Sequence, residues 1–417
     1  MTDHPDPMAA DRRVLVVALV AMVVFVSVGV VSAQLFASSP CGDLAPSPSP
    51  VAPTEVPSEA SAFEAVLGPT SGAWDVGFAA DGLVEVFDGR LAVTGPGMLT
   101  IGADGPARGV LAAPARVVGG GDTLWSIAWM NDLTGQVDAL VAIDEDLEVG
   151  TCVDTAVVGS PFAFHLDAGD GQLLLLRVEE DARDPLLQLR DPVQGSVWEA
   201  QVAVPVAPPG ILAERVTGRA GPDTVVTARR VLDGESEPAI AAHDRTDGAL
   251  RWSLDIDEAG VHPPAWLRVL HVGASTAVLE EALDTPEGGG SVFSVSLDDG
   301  SVTWRLPVDP GVTVDAVIVV DGDTHVATSG PAGARVTIVG PDGSAGPALA
   351  LPGSTPVLVD LGDLGALAST REASALLAGE VPVIDAGGVV AGRVHGGVAW
   401  LVLRLDGGDV LVGFDRP

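Results

Sequence analysis

The sequence predicts an all-β protein: a β-propeller of about seven four-stranded blades, with six or eight as alternatives, carried behind one transmembrane helix and a proline-rich linker. Three observations support this. An uncharged twenty-residue run stands near the N-terminus, a proline-studded stretch follows it, and beyond residue 70 a glycine turn recurs at steps of 43 to 64 residues.

The uncharged run, Val14 to Ala33, reads VLVVALVAMVVFVSVGVVSA. Twenty residues at 1.5 Å each span about 30 Å, the thickness of a bilayer's hydrocarbon core. Arg12 and Arg13 precede the run, and the next basic residue is Arg90. The positive-inside rule therefore expects a short cytoplasmic segment over 1–13, a membrane helix over 14–36, and an extracytoplasmic remainder. The competing reading is a cleaved signal peptide, because Val31-Ser32-Ala33 resembles a small-residue cleavage site. A signal h-region of about 7–15 residues is shorter than this run, which favours an uncleaved anchor in the cell membrane. Cys41 follows Pro40, where a lipobox needs a small non-proline residue.

Residues 37–70 read as a linker. Pro40, Pro46, Pro48, Pro50, Pro53 and Pro57 stand among Ser, Ala and Glu. Proline fixes φ and removes a backbone donor, so the stretch between Ser38 and Ser61 is expected to be extended and semi-rigid rather than sheet or helix. The two cysteines, Cys41 and Cys152, both fall on the outer side. An even pair in an oxidising compartment suggests one disulfide, with two unpaired thiols as the alternative. The bond would close a loop of roughly 110 residues, for which the chain-entropy account predicts about 4.7 kcal/mol.

The chain carries 57 acidic and 21 basic residues, a net charge of −36. Every basic residue is arginine; lysine and tyrosine are absent, and Asn131 is the single asparagine. Those three residue types have A/T-rich codons, so the bias reads as that of a high-GC bacterium. Charge of this sign argues against nucleic acid or anionic lipid as partner. It fits a solvated acidic surface, a cationic partner or surface divalent ions.

From residue 71 to 417 the pattern becomes short runs of Val, Leu, Ile and Ala broken by Asp-Gly, Gly-Gly and Pro-Gly, the signature of many short antiparallel strands. A unit recurs in LQLRDPVQGSVWEAQV (187–202), IAAHDRTDGALRWSLDI (240–256) and FSVSLDDGSVTWRLPV (293–308). Each has an alternating strand, an aspartate, a turn glycine (Gly195, Gly248, Gly300) and a tryptophan soon after it (Trp198, Trp252, Trp304). Glycine supplies the positive φ of a tight hairpin at no steric cost. The tryptophan on the returning strand then buries a large surface between neighbouring sheets. Weaker copies carry Gly105, Gly150, Gly343 and Gly407, which makes seven markers. Such a period signals a propeller.

The repeat resembles that of the quinoprotein-like (PQQ-like) β-propellers, roughly A-x-D-x-x-T-G-x-x-x-W. Ala242, Asp244, Asp247, Gly248 and Trp252 match it, with Thr246 one place early. The resemblance implies a disc of radial blades with each tryptophan between blades. One branch of the family holds pyrroloquinoline quinone and calcium and oxidises alcohols or sugars; the other lacks the cofactor and serves as scaffold. The cofactor branch wants adjacent cysteines, which Cys41 and Cys152 are not, so the resemblance implies the cofactor-less scaffold branch and no cofactor.

No catalytic residue stands out. H-E-x-x-H, G-x-S-x-G, Walker A and C-x-x-C are all absent. The seven histidines, His4, His165, His243, His262, His271, His325 and His395, are scattered, and no metal ligand set emerges. Acidic doublets fall where hairpin turns are needed. Paired carboxylates for hydrolysis would come from different blades and cannot be picked from 57 candidates. Asp360 to Glu380 departs from the strand pattern: Leu361, Leu364, Leu367, Ala373, Leu376 and Leu377 have helix-like spacing, which predicts a short helical insertion at the rim. The expected function is a non-catalytic binding or scaffold module for a cell-envelope protein or small ligand. The alternatives are an extracytoplasmic hydrolase or quinone-type dehydrogenase, or a sensor ectodomain.

Overall fold

The computed structural model describes residues 49–415 except 87–89, 96–97, 103–104, 110–115, 118–123, 132–135, 144–148, 155–161, 168–171, 179–185, 192–194, 202–215, 233–237, 286–288, 378–382 and 385. The chain divides into Met1–Asp43 and Leu44–Pro417. The expected membrane span and Cys41 lie outside the described residues. Among the described residues no helix is long and apolar enough to cross a membrane.

Strand β1 (Ser49–Pro50) and helix α1 (Ser61–Leu67) precede β2 (Thr70–Asp75). The rest is a series of antiparallel meanders, each made of consecutive strands. The first sheet holds β3 (Gly82–Val86), β4 (Arg90–Thr94), β5 (Met98–Gly102) and β6 (Gly105–Gly109), with β1 added on β6. The second holds β7 (Arg116–Val117), β8 (Leu124–Asn131), β9 (Gln136–Ile143) and β10 (Val149–Asp154). The third holds β11 (Phe162–Asp167), β12 (Leu173–Val178), β13 (Leu186–Asp191) and β14 (Gly195–Gln201). The fourth holds β15 (Val216–Ala220), β16 (Thr224–Arg229), β17 (Pro238–Asp244) and β18 (Leu250–Asp255), and the four-residue helix α2 (Ile256–Ala259) follows it. The fifth holds β19 (Ala265–Val272), β20 (Thr276–Leu283), β21 (Gly290–Ser296) and β22 (Val302–Val308). The sixth holds β23 (Thr313–Val320), β24 (Asp323–Gly330), β25 (Gly333–Val339) and β26 (Leu349–Leu351). The seventh holds β27 (Val357–Asp360), β28 (Ala366–Ser369), β29 (Ser374–Leu376) and β30 (Val383–Ile384). The eighth holds β31 (Val389–His395), β32 (Val398–Leu405) and β33 (Gly408–Asp415), and β2 completes it by pairing Trp74 with Leu411.

This is a propeller. First strands pack side by side from β11 through β15, β19, β23 and β27 to β31, and β31 meets β3 of the first sheet. The core lies in separate layers between sheets. Leu279 and Phe293 face Val226 and Ala242 of the fourth sheet. The neighbouring residues Val278 and Val292 face Trp304, Val326 and Val339 toward the sixth. Successive side chains on a strand point to opposite faces, so one strand serves two layers. The layer between the eighth and first sheets joins Trp400, Val402 and Leu411 to Leu83, Leu91 and Leu99. Strand β2 therefore completes the eighth sheet as its outermost strand, and the C-terminal strand β33 lies inside that sheet.

Three sequence expectations can be set against the described strands. The turn glycines suggested about seven units, with six or eight as alternatives, and the described strands form eight sheets. The long step from Gly343 to Gly407 spans the whole seventh sheet, which carries no marker, and Gly407 sits in the turn between the second and third strands of the eighth sheet rather than the third and fourth.

The predicted helix over Asp360–Glu380 is strand wherever it is regular. Ala366–Ser369 is buried on every residue, so both faces are covered and no alternation shows. A 3-10 turn, Gly362–Leu364, sets the leucine spacing that imitates a helix. The Thr370 Oγ1 accepts from the backbone N–H of Glu372 and of Ala373 and shapes the turn from β28 to β29.

The linker expectation fails from Ser49 onward. Ser49–Pro50 pairs with β6. Ala60, Phe63 and Leu67 are fully buried and join Val412 and Phe414 in one core. Proline prevents a central strand but tolerates an edge, and burying Phe63 and Leu67 outweighs the extended preference of the flanking prolines.

Candidate binding surface

The repeat residues build joints between sheets. Trp198 on the third sheet donates its indole N–H to the Arg245 carbonyl of the fourth at 2.6 Å. Trp252 on the fourth donates to the Leu297 carbonyl of the fifth at 2.9 Å. Each ring fills the space over the next sheet's turn glycine: a Cβ on Gly248 would lie 2.5 Å from Trp198, and one on Gly300 would lie 3.0 Å from Trp252. Trp304 meets Gly343 of the sixth sheet in the same way, with a Cβ 2.6 Å from its own. Gly248 and Gly300 have φ of +74° and +78°, where any other residue would also be strained. Asp244 braces its turn by accepting from the Thr246 backbone at 2.8 Å and from Arg251 at 2.6 Å. Those bonds, Thr246 foremost, hold its carboxyl far below the usual range. Gly195 opens β14, opposite Asp191. Cys152 lies on β10 opposite Val141, while Cys41 lies outside the described residues.

The charged groups with the most chemistry sit on the fifth sheet. Glu280 and Glu281 are adjacent on β20 and so point to opposite faces. Glu281 is 2% exposed. It accepts from the His262 backbone at 2.6 Å, Ser291 Oγ at 2.7 Å and Arg305 at 2.7 Å. Arg305 also donates to the Ala259 carbonyl at 2.5 Å and lies 4.4 Å over the Phe293 ring. This ion pair is saturated and ties α2 to the fifth sheet.

On the other face, Arg268 of β19 donates to Glu280 at 2.7 Å and to the Val314 carbonyl of β23 at 2.9 Å. Asp315 follows Val314. Burial raises the pKa of Glu280 against the opposing charge and hydrogen bond of Arg268, and the Asp315 charge raises it further. Burial raises Asp315 too, and its Oδ2 has no hydrogen-bond partner. A cleft of about 330 Å³ beside Glu280 is lined by Leu283, Val308, Val312 and Thr313. Both carboxyls thus titrate higher than usual near the Arg268 guanidinium.

His243, His271 and His325 all titrate lower than usual because they are buried. No three His, Cys, Asp or Glu side chains converge to hold a metal ion among the described residues. Sequence reading missed the Glu280–Asp315 and Glu281–Arg305 groups. The available signal was the doublet in Leu279-Glu280-Glu281-Ala282: two like charges in succession on an otherwise apolar strand must send one toward each neighbouring sheet.

No family model matches the chain, and no curated protein matches it. Solved structures similar to it include BamB from Moraxella catarrhalis, at 12% identity over 83% of this chain and 99% of that one, with a TM-score of 0.33. A quinohemoprotein alcohol dehydrogenase from Pseudomonas putida HK5 is 12% identical over 82% of this chain and 75% of that one, with a TM-score of 0.46. The β-propeller domain of the Trilobed protease from Pyrococcus furiosus, described as having an open velcro topology, is 9% identical over 82% and 91%, with a TM-score of 0.41.

Proposed function

We propose that this chain is a membrane-tethered, extracytoplasmic propeller that serves as a binding or scaffold module for a cell-envelope protein, without a cofactor, and that each of its eight sheets is one blade. The observation that supports this reading is the docking of the segment over 49–75 onto the sheets. The segment that follows the predicted span packs α1 against the eighth sheet and supplies that sheet's outermost strand. Thr54 donates from its backbone to the Ala73 carbonyl at 2.8 Å, so the approach to the closing strand is docked as well. The acidic charge favours a cationic partner face and disfavours nucleic acid.

The test is in-cell crosslinking of tagged full-length protein followed by mass spectrometry. One reproducible envelope partner, crosslinked to one face of the disc, supports the reading. Crosslinks to no protein at all would overturn it.

Glu280 and Asp315 favour one other reading, an extracytoplasmic hydrolase using a carboxyl pair from the fifth and sixth sheets. Glu280→Gln would abolish any hydrolytic turnover found by screening the isolated protein, and would leave partner capture unchanged under the scaffold reading.

A further inference from the structure

Among the described residues nearly every arginine side chain has a partner. Arg230, Arg251, Arg268, Arg305, Arg393 and Arg404 each reach a carboxylate. Arg219, Arg229 and Arg245 donate to backbone carbonyls. Arg335 is the exception: among the arginines whose side chains are described, it alone has neither a hydrogen bond nor an ion pair. With 57 acidic residues in the chain, that isolation is a property of its place.

Arg335 sits on β25 directly opposite Thr328 of β24. Residues two apart on a strand share a face, so Arg335 and Thr337 lie on the same side as Val339. That side meets the fifth sheet, where Val326, Val339 and Trp304 form a core layer. Beyond this layer a cleft of about 340 Å³ opens between the fifth and sixth sheets. Its walls include Leu306, Val308, Pro310, Val312 and Pro331, and its polar groups include Thr328, Thr337, Arg335 and Asp309. Asp309 lies on the connection leaving β22, is exposed and, like Arg335, joins no ion pair among the described residues. One cation and one anion thus line the same mixed polar and apolar cleft without forming an ion pair with each other.

We propose that this cleft binds a zwitterion with an apolar body, of amino-acid or dipeptide size. The guanidinium takes the ligand's carboxylate in its two-pronged geometry, with the Thr328 and Thr337 hydroxyls beside it. Asp309 takes the ammonium, and the apolar body lies against Leu306, Pro310 and Val312. The volume is near the lower end of small-molecule pockets, about 300–1,000 Å³, which favours a ligand of this size. A ligand carrying a single charge would leave one of the two groups unanswered. This inference goes beyond the scaffold reading and is tested separately from it, by ligand titration of the purified protein rather than by partner capture.

The test is calorimetric titration of the full-length protein with L-leucine, leucyl-leucine, N-acetylleucine and leucinamide. Leucine or leucyl-leucine is expected to bind saturably, with N-acetylleucine and leucinamide at least about tenfold weaker, because each lacks one charge-assisted contact. The tighter of the two zwitterions sets the charge separation the cleft prefers, and either order keeps the site. Arg335→Gln should abolish the advantage of leucine over leucinamide, and Asp309→Asn its advantage over N-acetylleucine, with melting temperatures unchanged because both side chains are exposed. No saturable binding by either zwitterion, a single-charge probe binding as tightly as they do, or both variants behaving like the parent would each overturn the proposal.

Discussion

The indole of Trp198 occupies the space that a side chain on Gly248 would need: a Cβ there would lie 2.5 Å from Trp198 Cε3. The two residues belong to neighbouring sheets and come together only because the hairpin in the fourth sheet turns at a glycine with positive φ. One contact therefore couples a local turn to a packing layer. Gly248→Ala should cost about 1–2 kcal/mol for the left-handed backbone and about 1–3 kcal/mol more for overpacking. Urea unfolding of Gly248→Ala alone and with Trp198→Ala measures both: the second background should remove the packing part and leave the backbone part. Additive costs would show that the two residues do not share space.

Trp252→Ala should destabilise the domain by about 3–5 kcal/mol, as loss of a large aromatic from an inter-sheet layer implies. The substitution also leaves the Leu297 carbonyl without the indole donor. A loss below about 1 kcal/mol in urea unfolding would mean that the ring is not core.

The ring closure rests on a second pairing. Arg404 donates to Asp409 at 3.0 and 2.8 Å and to the Ala80 carbonyl at 2.7 Å, while Asp409 accepts from the Ala80 N–H at 2.6 Å. Asp409 is only 3% exposed, so Arg404→Met leaves a buried carboxylate with too few donors. The expected cost is about 1.5–3 kcal/mol, the range for hydrogen bonds to charged groups. Limited proteolysis should cut first near β2 in this variant; a cleavage pattern like the parent's would separate the pair from closure.

His243 should make the fold acid-sensitive. It is 1% exposed and stays neutral because burial lowers its pKa, with the Gly248 carbonyl 3.1 Å away opposing. The unfolded chain takes up the proton near pH 6.5 and the folded chain only at lower pH, so this contribution is present above about 6.5 and fades as pH falls toward the folded value. Val295 holds the corresponding place on β21, one residue before the turn, so His243→Val is a fitting replacement. Its melting temperature should fall less than the parent's between pH 7 and pH 5, two values that bracket the histidine range; an identical decline would assign the sensitivity to other groups.

Cys41 and Cys152 give the fifth prediction. Full-length protein from cells should run faster on a non-reducing gel than on a reducing one, since a bond closing a loop of roughly 110 residues compacts the denatured chain. Equal mobility, with both thiols alkylated after denaturation, would show them unpaired.

The sequence by itself determined the class of the fold and its repeating joint. Short apolar strands, Asp-Gly turns and spaced tryptophans are local patterns, and the Trp198, Trp252 and Trp304 joints follow wherever such a hairpin repeats. The tertiary structure alone decided the rest. The seventh sheet was hidden because Ala366–Ser369 is buried on both faces, which erases the period-two signal that marks a strand. Residues 49–70 read as spacer because proline content reports backbone preference, whereas Phe63 and Leu67 gain their place from a surface at the far end of the chain, formed by Val412 and Phe414. The charged groups follow the same rule. Arg268, Glu280 and Asp315 lie on three different strands, and Arg335 and Asp309 on the walls of one cleft; their chemistry depends on distance and burial, which are set when sheets pack and are not written in the order of residues.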